Sequence, residues 1–180
     1  MQKFVSLLRG INVSGQKKIK MADLKLLFQN MGFENVKTYI QSGNVVFDTS
    51  VSDKNKIQEK IENGILHKYN FQVSVCVLNK YEMETAFELN PYLLNENIDH
   101  KHLGITFLNE TPKKVSVKEI LLLSEKGGDE FQIIDKYIYL LLPNGAGRTK
   151  LTLNLFERKL KTTATSRNWK TMTKLIEMMN

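Results

Sequence analysis

Apolar and polar positions follow two periods along this chain, and the order of those periods predicts its elements. Phe4, Val5, Leu7 and Leu8 crowd one short run, which predicts a strand over 3–9. Met21, Leu24, Leu27, Phe28 and Met31 then recur at helical spacing, and Gly32 marks the stop. The runs "VKTYIQ" and "NVVFDT" are β-rich and flank Ser42-Gly43, which predicts a hairpin. Ile57, Ile61, Ile65 and Leu66 mark a second helix, with Ser52 as its expected N-cap. "FQVSVCVL" (71–78) closes the series as a strand. The order β-α-β-β-α-β predicts a ferredoxin-like half over 1–79, in which the first and third strands are neighbours.

The second half repeats the theme. Asn79 and Glu82 have the spacing of a capping box for a short helix, and the Pro- and Asn-rich "NPYLLNENIDH" follows, so 80–100 reads as helix and connector. "KHLGITFL" predicts a strand, Thr111-Pro112 opens a helix ended by Gly127-Gly128, and "EFQIID" with "YIYLLLP" predicts a hairpin across Lys136. "TKLTLNLFERKL" (149–160) is expected to be helical, "TTAT" (162–165) to form a short edge strand. Trp169, Met172, Leu175, Ile176 and Met179 mark a terminal amphipathic helix. The fold class is α+β: two ferredoxin-like βαββαβ halves packed together, the second (101–180) carrying the extra C-terminal helix. The repeat is one of element order, not of residues.

Composition changes this picture little. A chain of 180 residues can bury a core without staples, and its single cysteine, Cys76, cannot form an internal disulfide. "MQKFVSLLRG" lacks the apolar length of a signal peptide, and no stretch nears the roughly 18 apolar residues of a membrane span. A cytoplasmic protein with no membrane partner is expected.

Charge changes it more. The net charge is +7, and residues 1–22 and 136–176 are strongly basic while the rest is net negative. If the basic segments meet, they form a field that attracts phosphates, nucleic acid or anionic metabolites. Only four residues are arginine, and Arg9, Arg148 and Arg167 stand in the loop-like phrases "RGIN", "NGAGRTK" and "TSRNW". A planar guanidinium fork there holds either a ligand's anionic group or the protein's own carboxylates and helix ends.

Several chemistries can be weighed against the residues. Gly10 and Gly15 have phosphate-loop spacing, but Gly15 is followed by Gln16-Lys17-Lys18 instead of Lys-Ser/Thr. His100, His102 and Asp99 lack further ligands at metal spacing, and no cofactor is implied. The hairpin "TYIQSGNVVF" lacks the aromatic pattern of an RNA-recognition face, although a basic surface for structured RNA, on or off the ribosome, stays open. A small anion pocket is the sharper expectation. Arg9, Gly10 and Asn12 arrive at one end of the sheet, and the hairpin turn brings Gln41, Ser42 and Asn44 there. Arginine and asparagine divide the work in this way in acylphosphatases on the same fold, which keeps a phosphate-ester or acyl-phosphate hydrolase in view by analogy. Turn chemistry alone also accounts for Gly10, Asn12, Ser42, Gly43 and Asn44.

The phrases "LLRGINVSG", "KMADLKLLFQNMGFENVKTYIQSGNVVF", "NPY", "PNGAGRTKL" and "TATSRNWKTMTKL" together resemble the bacterial domain-of-unknown-function 1697 family. The resemblance implies a cytoplasmic α+β protein with ferredoxin-like halves, and it implies no activity. The matching polar residues are Arg9, Gly10, Asn12 and Gly15 in the first phrase and Tyr39 with Gln41–Asn44 in the second. Asn90 and Pro91 follow, and Thr165, Arg167, Asn168, Trp169 and Thr171 come last. Ser14, Lys20 and Thr149 stand where the family usually has glycine, proline and serine. Two expectations follow. Arg9, Gln41–Asn44 and Arg167–Trp169, with Arg148, line a pocket for a small anionic ligand; or the same residues staple the two halves through a buried polar network.

Overall fold

Strand β1 (Gln2–Leu8) buries five successive residues, Phe4 to Leu8. A strand covered on both faces belongs inside a sheet, and β1 pairs antiparallel with β3 (Asn44–Thr49) on one side and β4 (Val75–Asn79) on the other. The computed structural model describes residues 1–112, 120–121, 124 and 128–180. They divide into two compact units, Met1–Glu84 with Lys174–Asn180, and Thr85–Thr173.

In the first unit, helix α1 (Met21–Asn30) follows β1, and β2 (Glu34–Tyr39) pairs with β3. Helix α2 (Lys54–Tyr69) then leads into β4. The sheet order β2-β3-β1-β4 is that of the ferredoxin-like fold. Leu24, Phe28, Ile57, Ile61 and Ile65 from the helices pack on Phe4, Leu8, Val45 and Phe47 from the sheet. Phe47 is the hub, with Phe4, Phe28 and Phe33 at ring-centroid distances of 6.2, 5.5 and 4.5 Å. The N-cap of α2 is Asp53, not Ser52. Its carboxylate accepts from the backbone N–H groups of Asn55 and Lys56 at 3.0 and 3.3 Å, and a full negative charge suits the positive helix end better than a hydroxyl. Strand β4 is also shorter than expected, beginning at Val75, while Phe71 stacks on Tyr69 at 5.8 Å. The capping box before α3 (Lys80–Glu88) forms in both directions: Glu82 N donates to Asn79 Oδ1 (2.8 Å) and Asn79 N to Glu82 Oε2 (3.1 Å).

The second unit repeats the plan. Strands β5 (Leu103–Leu108), β6 (Glu130–Ile134), β7 (Tyr137–Leu141) and β8 (Ala164–Asn168) form an antiparallel sheet in the order β6-β7-β5-β8. Most of the helix expected between Pro112 and Gly127 lies outside the described residues. Helix α4 (Leu153–Leu160) is shorter than the expected 149–160, because Thr152 is its N-cap and accepts from Leu155 N at 3.3 Å. Thr152, a β-branched residue suited to a cap, is thus where the helix begins. The expected edge strand shifts to β8 and includes Arg167, so the phrase "TSRNW" is strand and not loop at that position. His100 and His102 sit in a short 3₁₀ turn capped by Asp99, not in a strand. Helix α5 (Trp169–Met179) follows β8 directly. Among the described residues, no helix is long and apolar enough to cross a membrane.

Strand pairing aligns the two units residue by residue. Phe4 pairs with Phe47 and Asn79, and Gly104 pairs with Leu140 and Asn168. At the other strand end, Leu8 N donates to Gly43 O and Leu108 N to Lys136 O. One residue on, Arg9 N donates to Ser74 O and Asn109 N to Thr163 O. Position 4 of the first unit therefore corresponds to 104 of the second, 47 to 140, 77 to 166, and 79 to 168.

Candidate functional site

The first-loop residues and the hairpin are fastened to each other. Asn12, at φ 56°, uses its whole amide: Nδ2 donates to the carbonyls of Ile19 and Gln41, and Oδ1 accepts from Ile19 N, all at 2.9 Å. Gln41 contributes its backbone oxygen while its side chain is exposed. Asn44 is fully buried, and its Nδ2 donates to Tyr39 O (2.9 Å) and Ser42 Oγ (3.0 Å). Gly43, at φ 76°, is required: a Cβ there would lie 2.7 Å from Leu8 Cβ and from Ile11 Cδ1. Gly10 also holds a positive φ, 69°, and is exposed. The expected meeting of the Arg9–Asn12 and Gln41–Asn44 phrases is real, and its geometry is that of a closed turn network.

Arg9 turns elsewhere. Half-buried, it lines a cavity of about 400 Å³ in the first unit with Lys17, Glu62, Gln72 and Ser74. Lys17 Nζ donates to Gln72 O at 2.7 Å, and Glu62 Oε1 accepts from Val75 N (2.9 Å) and Gln58 Nε2 (3.1 Å). The Glu62 carboxylate offsets one of the two cations, so this basin is only weakly selective for an anion.

The second unit holds a larger cavity, about 440 Å³, on the helix-covered side of its sheet. Its walls are the apolar side chains of Leu140, Leu142, Leu151 and Leu153. Its floor is Gly104 and a pair of hydroxyls, Thr106 Oγ1 and Ser166 Oγ, 2.5 Å apart. Lys101, His102, Arg167 and Asn168 also border it, and among the described lining residues there is no carboxylate. His102 Nδ1 lies 3.2 Å from Leu142 O; a carbonyl only accepts, so Nδ1 carries the proton of this bond. The connector 142–152 supplies one side of the cavity through Gly145, Ala146 and Thr149. Thr149 pins that connector: its Oγ1 donates to Asp129 Oδ2 (2.5 Å) and accepts from Leu151 N (2.9 Å).

The late phrases expected at a site are thus brought together here, with different fates for their side chains. Arg167 is buried, and its Nη1 donates to Thr165 Oγ1 (3.1 Å) and Ser166 O (2.8 Å). Asn168 is exposed and caps α5, Oδ1 accepting from Thr171 N at 2.8 Å. Trp169 is buried against Phe87, ring centroids 4.5 Å apart. Arg148 is exposed on the connector beside the cavity. Lys101, His102, Gly104, Thr106 and Ser166 were missed as site residues. One signal was available: a glycine inside the strand phrase "KHLGITFL", since an interior strand glycine often marks a close approach.

A family model described as "Protein of unknown function (DUF1697)" matches residues 1–139. No curated protein matches the chain. Among solved structures, the chain is similar to the conserved bacterial protein SP0830 from Streptococcus pneumoniae, at 26% identity over 99% of each chain and a TM-score of 0.72. The matched family segment ends before the connector 142–152 and β8, whereas the likeness to SP0830 spans them.

Proposed function

We propose that this chain, which belongs to the DUF1697 family of proteins of unknown function, binds a small anionic ligand in the cavity of its second unit. One observation carries the proposal. The cavity combines apolar walls with Lys101 and His102 at its rim and no carboxylate among its described lining, the composition of a site that holds an apolar body and a negative head, for which Lys101 would exchange its ion pair with Asp99 (2.6 Å). The size supports a small molecule over a macromolecule. A hydrolytic role at the first loop draws no support, because the Asn12 amide that would orient a water is spent on Ile19 and Gln41.

The test is a thermal-shift panel of inorganic phosphate, sugar phosphates, acyl phosphates, aliphatic and aromatic carboxylates, and structured RNA, at low and moderate salt. At about 100 times its Kd a ligand stabilises by roughly 2.7 kcal/mol, which for a chain of this size is a rise of roughly 5–10 °C. A salt-tolerant rise with one class of small anion, weakened in Lys101→Ala, is the expected result. Lys101 is exposed, so its loss leaves the fold intact. A flat panel, or a rise only with RNA that fades with salt, overturns the proposal.

A further inference from the structure

We infer that the apolar body of the ligand is an aromatic ring, seated where the first unit keeps the side chain of Phe4, so that the ligand class is an aryl-bearing carboxylate; this rests on the binding role proposed above for the same cavity.

The two units share one strand register, and position 104 is the counterpart of Phe4. In the first unit that ring is fully buried on the helix-facing side of the sheet, nearly parallel to Phe47 at 26°. In the second unit the same place on the strand carries no side chain, and its β7 neighbour is Leu140 in place of Phe47. Gly104 is not there for want of room. A Cβ on it would meet Arg167 O at 3.5 Å and Leu140 Cβ at 3.8 Å, ordinary contacts, and its φ is not in the left-handed region. Gly43 shows what steric necessity looks like in this protein, with contacts of 2.7 Å and a positive φ. A glycine inside a strand forfeits packing and raises the entropy cost of folding. Where neither space nor backbone demands it, the open volume itself is the consequence to explain.

Two other differences fall at the same end of the same sheet. Val77 of the first unit is Ser166 in the second, and Ser166 pairs its hydroxyl with Thr106, the counterpart of Ser6. The connector between the third strand and the next helix runs over 50–53 in the first unit and over 142–152 in the second, where it walls the cavity. The second unit thus keeps the scaffold that seats a phenyl ring, removes the ring, and adds one hydroxyl, that of Ser166, and a rim holding Lys101 and His102. The cavity of about 440 Å³ exceeds one ring, leaving room for a short linker and a carboxylate that reaches the rim.

The experiment compares 3-phenylpropionate, hexanoate and inorganic phosphate on the full chain by thermal shift and titration calorimetry, in wild type and in Gly104→Phe. Expected is a rise of roughly 5–10 °C with 3-phenylpropionate near saturation and binding about tenfold tighter than hexanoate. Gly104→Phe, which returns the first unit's ring, is expected to keep or raise the unliganded Tm and to lose the response. Gly104→Leu repeats the test with a smaller filler. Equal binding of hexanoate and 3-phenylpropionate overturns the aromatic assignment and leaves the anion site standing. So does a phosphate response that survives Gly104→Phe. Silence from all three probes overturns the assignment. It overturns the binding role as well only if the wider anion panel is also flat. Loss of folding in both Gly104 variants shows that the space cannot take a side chain, and it too overturns the assignment.

Discussion

At the scale of single residues, the same side-chain type serves opposite ends in the two units. Asn12 spends its amide on backbone groups and Asn44 on a backbone carbonyl and the Ser42 hydroxyl, while Asn168 uses its oxygen as a helix cap. The Asn12 network joins a loop to a hairpin that is distant in sequence, so its loss is felt at both. Asn12→Ala removes three hydrogen bonds, strands the backbone groups of the buried Ile19 and places alanine at φ 56°. At about 1 kcal/mol per bond with a backbone penalty of similar size, it should lower unfolding free energy by roughly 4 kcal/mol in urea. A change below about 0.5 kcal/mol, within the range of an ordinary surface substitution, would show that the network does not hold the loop. The residue types of this turn were readable in sequence, because positive φ favours Asn and Gly. Their acceptors were not, since the carbonyls of Ile19 and Gln41 carry no signature of their own.

At the scale of elements, the helix starts show what local sequence can and cannot settle. The box at Asn79 and Glu82 was legible because both partners lie within one turn, and Glu82 is further held by Lys54 Nζ at 2.5 Å. The start of α2 was misread by one residue: Ser52 and Asp53 both qualify as caps, and the register of the chain leaving β3 decides for Asp53. Asp53→Ala should cost about 1 kcal/mol, and Ser52→Ala should cost a few tenths at most. Thermal denaturation of the two variants checks the assignment, and the reverse order refutes it. The strands and their order were legible from periodicity alone. The cavity was not, because it arises from pairings such as Gly104 with Leu140 and Thr106 with Ser166, which join residues far apart in sequence. Only once the register was known could Gly104 be set against Phe4.

At the scale of the whole molecule, buried phenols tie stability to alkaline pH. Burial raises the pKa of Tyr69, Tyr92 and Tyr139 above the ordinary 10.0, aided by Asp23 at Tyr69, Glu130 at Tyr92 and Tyr137 at Tyr139. Tyr139 also donates to Ala86 O at 3.0 Å, a bond that only the neutral phenol makes. The folded state therefore keeps protons that the unfolded chain releases near pH 10. Above that pH the unfolded state binds fewer protons, so unfolding free energy falls as pH rises. The contribution is complete below pH 10 and is lost progressively above it, toward the raised folded values. Two of the three phenols, Tyr92 and Tyr139, lie in the second unit and the third in the first, so the second unit should weaken first and unfolding should broaden. Urea titrations between about pH 8 and 11 should show a flat plateau and then a decline. Tyr139→Phe should start about 1 kcal/mol lower for its lost hydrogen bond and decline less steeply. Phenolate absorbance offers the direct check: of the six tyrosines, Tyr69, Tyr92 and Tyr139 should ionise above the ordinary phenol range. Ionisation of all six at ordinary phenol pH, with the fold intact, would contradict the burial that places Tyr139 at the centre of the second sheet.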